Sequence, residues 1–509
     1  MTGGNGKSLP PGLRAHRALS ERPARWAVLP RRGSAALVGA LAALLAIAGC
    51  APTAFQPATP AAKAAPLSDE AFLDDVEHRT FSFFWDLADP QSHLIPDRWP
   101  TPSFSSIAAV GFGLNAYAIG AERGWVTREQ AAERTLATLD ALLALPQGPQ
   151  TTGVAGDRGF FYHFLDVHTG MRFQTVELST IDTTLLMAGV LFDGGYFDRD
   201  TATERAIRER ADRLYRRVDW AYFQESAPHP PRVSMGWRPE DGFIDYDWRG
   251  YNEAPILYVL ALGSPTHPVS ADAWPAYTST YVWGPFEGQE HLAFEPLFGH
   301  EYSHAWIDFR GIRDAFMRAK NSDYFENSRR ATLAQRAYAI RNPGGFAGYG
   351  ADVWGLSACD GPFDGVATVA GKPVEFKTYS ARGAALTRIQ DDGTLAPHAA
   401  GGALPFAPEV VLPALRAMRA RWGEHLYGRY GFFDSFNPTL AKPRSVQMGA
   451  IVPGVGWFDG DYLGIDQGIL LAMIENHRSG LLWRVMRSNP YVRRGLERAG
   501  FEGGWLAAR

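Results

Sequence analysis

Helix-start signals recur along this chain while regular strand alternation is scarce, which confines it to a fold built almost wholly of helices. Ser68 precedes Asp69 and Glu70, an N-cap with acids in the first turn. Phe72, Val76 and Phe83-Phe84 follow at roughly helical spacing. Thr127-Arg128-Glu129-Gln130 and Thr201-Ala202-Thr203-Glu204 read as capping boxes. Asp323 with Glu326 predicts a helix to about Arg341, and Pro408 suits the first turn of one ending near Trp422, bent by Pro413. Ile465–Met473 and Leu481–Met486 also read as helical, and short β-hairpins are expected near Phe160–Phe164 and Val366–Phe376. Between these elements lie long loops rich in Gly, Pro, Trp and acids: Gly236–Gly250, Asn342–Gly365 and Phe432–Gly464. Loops of that length inside a compact domain are usually functional. Helices joined alternately by short and elaborate connections suit an all-α toroid of helical hairpins, its elaborate loops gathered at one end as a cleft.

The first fifty residues read as a targeting segment. Seven basic residues (Lys7, Arg14, Arg17, Arg22, Arg25, Arg31, Arg32) stand against Glu21, followed by an apolar run from Ala35 to Ala48 and then Gly49-Cys50. Charge, a short apolar stretch and small residues make a signal peptide. The run is shorter than the ~20 apolar residues of a membrane span. Its end, Leu45-Ala46-Ile47-Ala48-Gly49-Cys50, resembles a bacterial lipoprotein signal, which makes Cys50 the lipidated first residue of the mature chain. Residues 1–49 are therefore read as signal peptide, 50–67 as an Ala/Pro-rich tether and 68–505 as one domain. The expected location is the bacterial cell envelope, anchored by lipid and facing the periplasm or on the outer membrane.

Without residues 1–49 the chain carries 43 basic and 53 acidic side chains, a formal charge of −10. An acidic chain argues against nucleic-acid binding, which needs a basic face. Cys359 is the only cysteine besides Cys50, so no disulfide within the domain is expected and a large core must supply stability. Aromatics make up 13% of the residues, enough for both a core and rings that stack on sugars.

His300-Glu301-Tyr302-Ser303-His304 matches H-E-x-x-H, which on a helix could bind zinc with Glu301 as base, as in a peptidase. Gly299 before it, and the lack of a further His at the extended three-ligand spacing, favour histidines that line a polar cleft or cap structure. Acids set among small and aromatic residues are more informative. Glu177-Leu178-Ser179-Thr180-Ile181-Asp182-Thr183 leads into the apolar stretch Leu185–Leu191, where the helix dipole favours carboxylates, or where Ser179 or Asp182 simply caps. Trp237 opens a loop carrying Glu240, Asp241, Asp245 and Asp247 before Tyr251-Asn252-Glu253. Glu253 begins an apolar helix; partial desolvation there raises a carboxyl pKa and makes a general acid at neutral pH. Phe433-Asp434-Ser435-Phe436-Asn437, Trp457-Phe458-Asp459-Gly460-Asp461-Tyr462 and Asp466-Gln467 repeat the theme. Glycoside hydrolysis needs two carboxyl groups flanking the scissile bond, and residue logic alone yields a set of acids rather than a pair.

Taken in order across residues 72–502, several of these segments resemble the glycoamylase-like domain, the group containing the endo-β-1,2-glucanases of glycoside hydrolase family 144. They are Ile95-Pro96-Asp97-Arg98, Ser106–Phe112, Arg123-Gly124-Trp125, Glu177–Thr183, Tyr251-Asn252-Glu253, Leu262–Pro268, Tyr302–Trp306, Asp392-Gly393-Thr394, Tyr430-Gly431-Phe432 and Leu463–Gly468. The resemblance implies an (α/α)6 toroid, no cofactor or catalytic metal, and a cleft that hydrolyses linear β-1,2-glucan with inversion. It places Asp182 and Glu253 in that cleft, facing an acid from the Tyr430–Asp466 region. The assignment that follows makes Glu253 the acid, with water activated by Asp182 or Asp461. Asp97, Arg98, Glu177, His304, Asp434 and Asp466 would bind sugar hydroxyls, and Trp237, Trp306 and Trp457 would stack on rings. The expected partners are a glucan and, through Cys50, a membrane; the chain is read as a monomer. Transglycosylation, exo-release of sophorose and non-catalytic glycan binding are the alternatives on the same fold.

Overall fold

The computed structural model describes residues 67–507, so the signal peptide, tether and Cys50 lie outside the described residues. The predicted helix starts form as read. Ser68 accepts the Ala71 amide and caps α1 (Asp69–Leu87). Thr127 and Gln130 make a reciprocal capping box on α3 (Arg128–Ala144); Thr201 caps α5 (Ala202–Arg216), but the return half of its expected box is missing because Glu204 instead accepts the Arg199 amide and the Arg128 guanidinium. Asp323 caps α8 (Tyr324–Arg341). Each such cap is worth roughly 1 kcal/mol. α10 (Pro408–Trp422) starts at Pro408 and continues through Pro413.

These amphipathic helices form an outer layer around an inner one. The inner helices are α2 (Ile107–Glu122), α4 (Thr180–Tyr196), α6 (Pro255–Gly263), α7 (Phe298–Trp306), α9 (Pro397–Gly401) and α11 (Gly464–Arg478). α2 is buried from Ile107 to Gly120 and α6 along its whole length, as helices surrounded by protein must be. Each packs on an outer partner: α2 on α1 and α3, α4 on α5, α7 on α8, α9 on α10. After α12 (Leu481–Arg487), α13 (Pro490–Arg498) returns to cover α6. α2 touches α4 on one side and α11 on the other, and this contact closes the all-α (α/α)6 toroid. At the α2–α4 crossing the backbones meet directly: a Cβ on Gly189 would lie 2.2 Å from the Gly111 carbonyl oxygen. Only glycine permits that approach.

Strands are short. The expected Val366–Phe376 hairpin is present as β7 (Gly365–Val369) and β8 (Lys372–Phe376). The one expected near Phe160–Phe164 divides. Phe160–Phe161 pairs with Gly156–Asp157, whereas β3 (Phe164–Leu165) pairs with β2 (Ser105–Ser106), far away in sequence. Among the described residues no helix is long and apolar enough to cross a membrane.

Candidate active site

Short strands just before the inner helices bring the polar residues together. β2 leads into α2 and pairs with β3; β4 (Leu178–Ser179) leads into α4 and pairs with β5 (Gly236–Arg238). β10 (Tyr462–Leu463) leads into α11 and pairs with β1 (Arg98–Trp99). Asp182, Glu253, His398 and Asp466 thus sit at or beside the N-termini of α4, α6, α9 and α11.

One wall is built on α4 and α6. His163 Nδ1 lies 3.0 Å from Glu177 Oε1 and its Nε2 3.5 Å from Asp182 Oδ2. Ser179 accepts the Asp182 amide, capping α4, and its hydroxyl donates to Asp182 Oδ2 at 2.5 Å. Burial would lower the His163 pKa, but the charges of Asp182 and Glu177 hold it up at about 9. Burial would raise Glu177; the imidazolium beside it and Arg238, 3.5 Å away, bring it down to about 2. Glu253 is different. It is 7% exposed, its Oε2 has no hydrogen-bond partner, and burial, with a smaller push from the Asp182 charge, lifts it to about 8. Its backbone is fixed on both sides. The Ser303 hydroxyl donates to the Glu253 carbonyl at 2.7 Å, and Asn252 Oδ1 accepts the Ala254 amide and the Tyr277 hydroxyl.

The second wall is a cluster of aspartates around one guanidinium. Arg98 lies 2.6 Å from Asp360, 3.4 Å from Asp97 and 3.6 Å from Asp461. Asp461 also accepts the Thr101 amide at 3.0 Å, and Asp434 accepts the Asp360 amide at 2.7 Å. Asp434 and Asp466 hold carboxylate oxygens within 4.8 Å of each other, and burial, with the carboxylates around them, raises both. His398 stands against them, with Nε2 3.2 Å from Asp466 and Nδ1 3.7 Å from Asp434; burial lowers its pKa to about 3, so the ring is neutral. Asp459 is buried with one oxygen unpartnered, and that burial pushes it well up. The walls meet on two sides: Asp97 is within electrostatic reach of His163, and Tyr302 of both Glu253 and Asp466. Two triads, His398/Asp434/Asp466 and Asp360/Asp459/Asp461, hold their donor atoms within 4.8 Å, close enough for a cation; Arg98 already serves the second.

Of the sequence-derived residues, Glu177, Asp182 and Glu253 come together in one wall and Asp97, Arg98, Asp434, Asp461 and Asp466 in the other. Four others do not reach the site. Trp306 is fully buried, stacked on Phe112 with its indole N–H on Asn115. Trp457 is fully buried in a small second core with Phe346, Phe363 and Phe376, its N–H donated to the Met448 carbonyl. Trp237 sits opposite Leu178 in the β4–β5 pair and packs on the core; its neighbour Arg238 faces Glu177, so alternation turns Trp237 away. His304 is 1% exposed, set among Phe309, Phe325 and Phe406 with Nε2 on Ser328. His300 meets Phe294 and Asn327 instead, so the two histidines face separate partners. The motif's Ser303 does reach the site, as the clamp on Glu253. His163, Arg238, Asp360 and His398 belong to the candidate site although no motif marks them, and Asp459 stands out in the sequence only as part of its acid–aromatic run.

The glycoamylase family, described as "putative glucoamylase", matches residues 245–490. A solved structure with that same description from Bacteroides uniformis is 31% identical, with a TM-score of 0.73, over 87% of this chain and 100% of that one. An endo-β-1,2-glucanase from Chitinophaga pinensis, solved with sophorotriose and glucose, is 28% identical, with a TM-score of 0.70, over 87% of this chain and 100% of that one. An exo β-1,2-glucooligosaccharide sophorohydrolase acting at the non-reducing end, from Parabacteroides distasonis, is 29% identical over 468 residues, or 85% of this chain. The chain spans 58% of that relative's length.

Proposed function

Because the chain belongs to the glycoamylase-like family, we propose that it hydrolyses β-1,2-glucan with inversion, with Glu253 as general acid. The observation that carries this reading is Glu253 itself: a fixed, desolvated carboxyl with one free oxygen, protonated at neutral pH, with Tyr302 within electrostatic reach of both it and Asp466 of the aspartate cluster. An inverting hydrolase protonates the leaving oxygen on one face of the sugar and activates water on the other. Asp182 is close enough for its charge to act on Glu253, which puts it on the acid's own wall. Asp461, among Arg98, Asp360 and Asp459, belongs to the facing wall and takes the base role. Glu177, Asp97, Asp434 and Asp466 bind hydroxyls around the reacting ring.

The test is a reducing-sugar assay of the full chain on linear β-1,2-glucan, with EDTA in parallel and products resolved by chromatography. Short β-1,2 oligosaccharides released equally with and without EDTA support the proposal; no release from this glucan sinks it. The similarity to the exo-acting P. distasonis protein favours a second reading, release of sophorose from chain ends. A ladder of products speaks for internal cleavage and sophorose alone for the exo mode.

Glu253 must carry its proton to act, and its pKa is about 8. The kcat/KM of the wild-type chain is therefore expected to hold up to about pH 8 and to fall roughly tenfold per pH unit above it. A profile flat to pH 10 would remove Glu253 from the acid role.

We further propose that residues 1–49 direct export and that Cys50 is lipidated, on the basic, apolar and Gly49-Cys50 sequence described above. Cys50→Ser should abolish palmitate labelling and move the protein from the membrane to the soluble fraction. An unlabelled wild-type chain would leave the anchor without support.

A further inference from the structure

The tryptophans marked in the sequence as sugar platforms are in or against the core, which leaves the cleft in need of another stacking surface. Among the exposed large apolar side chains of the described residues, Tyr379 is the one aromatic, with 45% of its surface open. Its place is specific. β9 (Tyr379–Ala381) pairs with β6 (Ala358–Asp360), and Tyr379 stands directly opposite Asp360. Directly opposed residues of an antiparallel pair project to the same face, so Tyr379 shares a face with Asp360, which Arg98 grips at 2.6 Å. Its hydroxyl end is desolvated and within electrostatic reach of Asp466, Asp434, Asp360 and Asp97. Tyr302, which also senses Glu253, senses Tyr379 as well.

The backbone beneath this ring is locked. The buried Arg382 guanidinium donates to the Cys359 and Lys377 carbonyls, at 2.7 and 2.9 Å, and pairs with Asp392. The Gly361 amide donates to the Thr378 carbonyl at 2.7 Å. A ring carried on so fixed a backbone needs no rearrangement of the chain beneath it when a ligand covers it.

From this geometry we propose that Tyr379 is a sugar-binding platform at the mouth of the acidic cleft, stacking on a glucose ring beyond the one being cleaved. A β-linked glucopyranose presents apolar C–H faces to an aromatic ring and equatorial hydroxyls to carboxylates, and Tyr379 with the aspartate wall offers that pair. The inference rests on the glucanase reading above and assigns it a subsite.

The test compares the full wild-type chain with Tyr379→Ala and Tyr379→Phe on β-1,2-glucan oligosaccharides of increasing length. In Tyr379→Ala, KM for the longer substrates should rise roughly tenfold with kcat within about twofold, whereas Tyr379→Phe keeps the ring and stays near wild type. Unchanged KM at every length, with an active wild type, overturns the platform and leaves the glucanase reading standing. If the wild type cleaves none of them, that reading has failed. Calorimetric binding of a panel of uncharged glucans to the wild type and Tyr379→Ala then decides the platform separately. Binding weakened only by the alanine supports it; equal binding, or none at all, overturns it.

Discussion

Replacing Glu253 by Gln is expected to lower kcat on β-1,2-glucan by about 10²- to 10⁴-fold, the range by which a positioned general acid accelerates such a step. The amide keeps the shape and the backbone clamps from Ser303 and Asn252 but has no acidic proton to give. Two readouts separate this from a folding defect. An aryl β-glucoside whose leaving group departs without protonation should recover much of the lost rate. Stability should move the other way. Folding raises the Glu253 pKa from the usual carboxylate range to about 8, so its ionisation opposes folding. That penalty is absent below the unfolded pKa, grows as pH rises between the two values, and is complete above about 8. The Gln variant escapes it, so its melting temperature should match the wild type near pH 4 and exceed it near pH 9. Near-normal turnover, or a variant less stable at pH 9, would count against the assignment.

The second large effect is on folding. Arg98→Leu removes the one guanidinium that Asp97, Asp360 and Asp461 share, and breaking a buried pair by deleting one partner typically costs about 3–5 kcal/mol. The loss should depend on pH in a definite direction. Asp97 and Asp360 already have raised pKa values because burial outweighs Arg98, and without that cation they rise further. Their ionisation penalty is full above those folded values and vanishes below the unfolded ones. Chemical denaturation should therefore show a large deficit at pH 8 that narrows steadily toward pH 4. A deficit independent of pH would mean that Arg98 acts by packing rather than by charge.

The outer helices were legible in the sequence because their starts are local chemistry: Ser68, Thr127, Thr201 and Asp323 each satisfy an amide three residues away. The carboxylates were legible because an acid amid small and aromatic residues seldom belongs to a solvated face. The tryptophans were not. Indole is equally at home in a core and under a sugar, and only the tertiary packing of Trp306 on Phe112 and of Trp457 in the second core decides between them. The strand pairs defeated the sequence for another reason. β1 meets β10, and β2 meets β3, through two-residue registers with no periodicity to read. Those pairings carry Arg98 and His163 into the candidate site, and the β6–β9 pair brings Asp360 and Tyr379 side by side, so these positions join it only through partners distant in the chain. His398 lies in a run of small residues and gains meaning only from Asp434 and Asp466.

The contact of α2 with α11 has a kinetic consequence. The helices that complete the ring come from opposite ends of the described chain, so the last inner segment to be synthesised must find the first. Folding dominated by such distant contacts is slow, because the loop-closure entropy is lost before the contact repays it. Until α11 arrives, the faces of α2 and α1 that it covers remain open, apolar and prone to aggregate. A chain ending before Gly464 would thus be not a smaller toroid but an open one, and the helices would mature together, late, rather than one after another as they emerge.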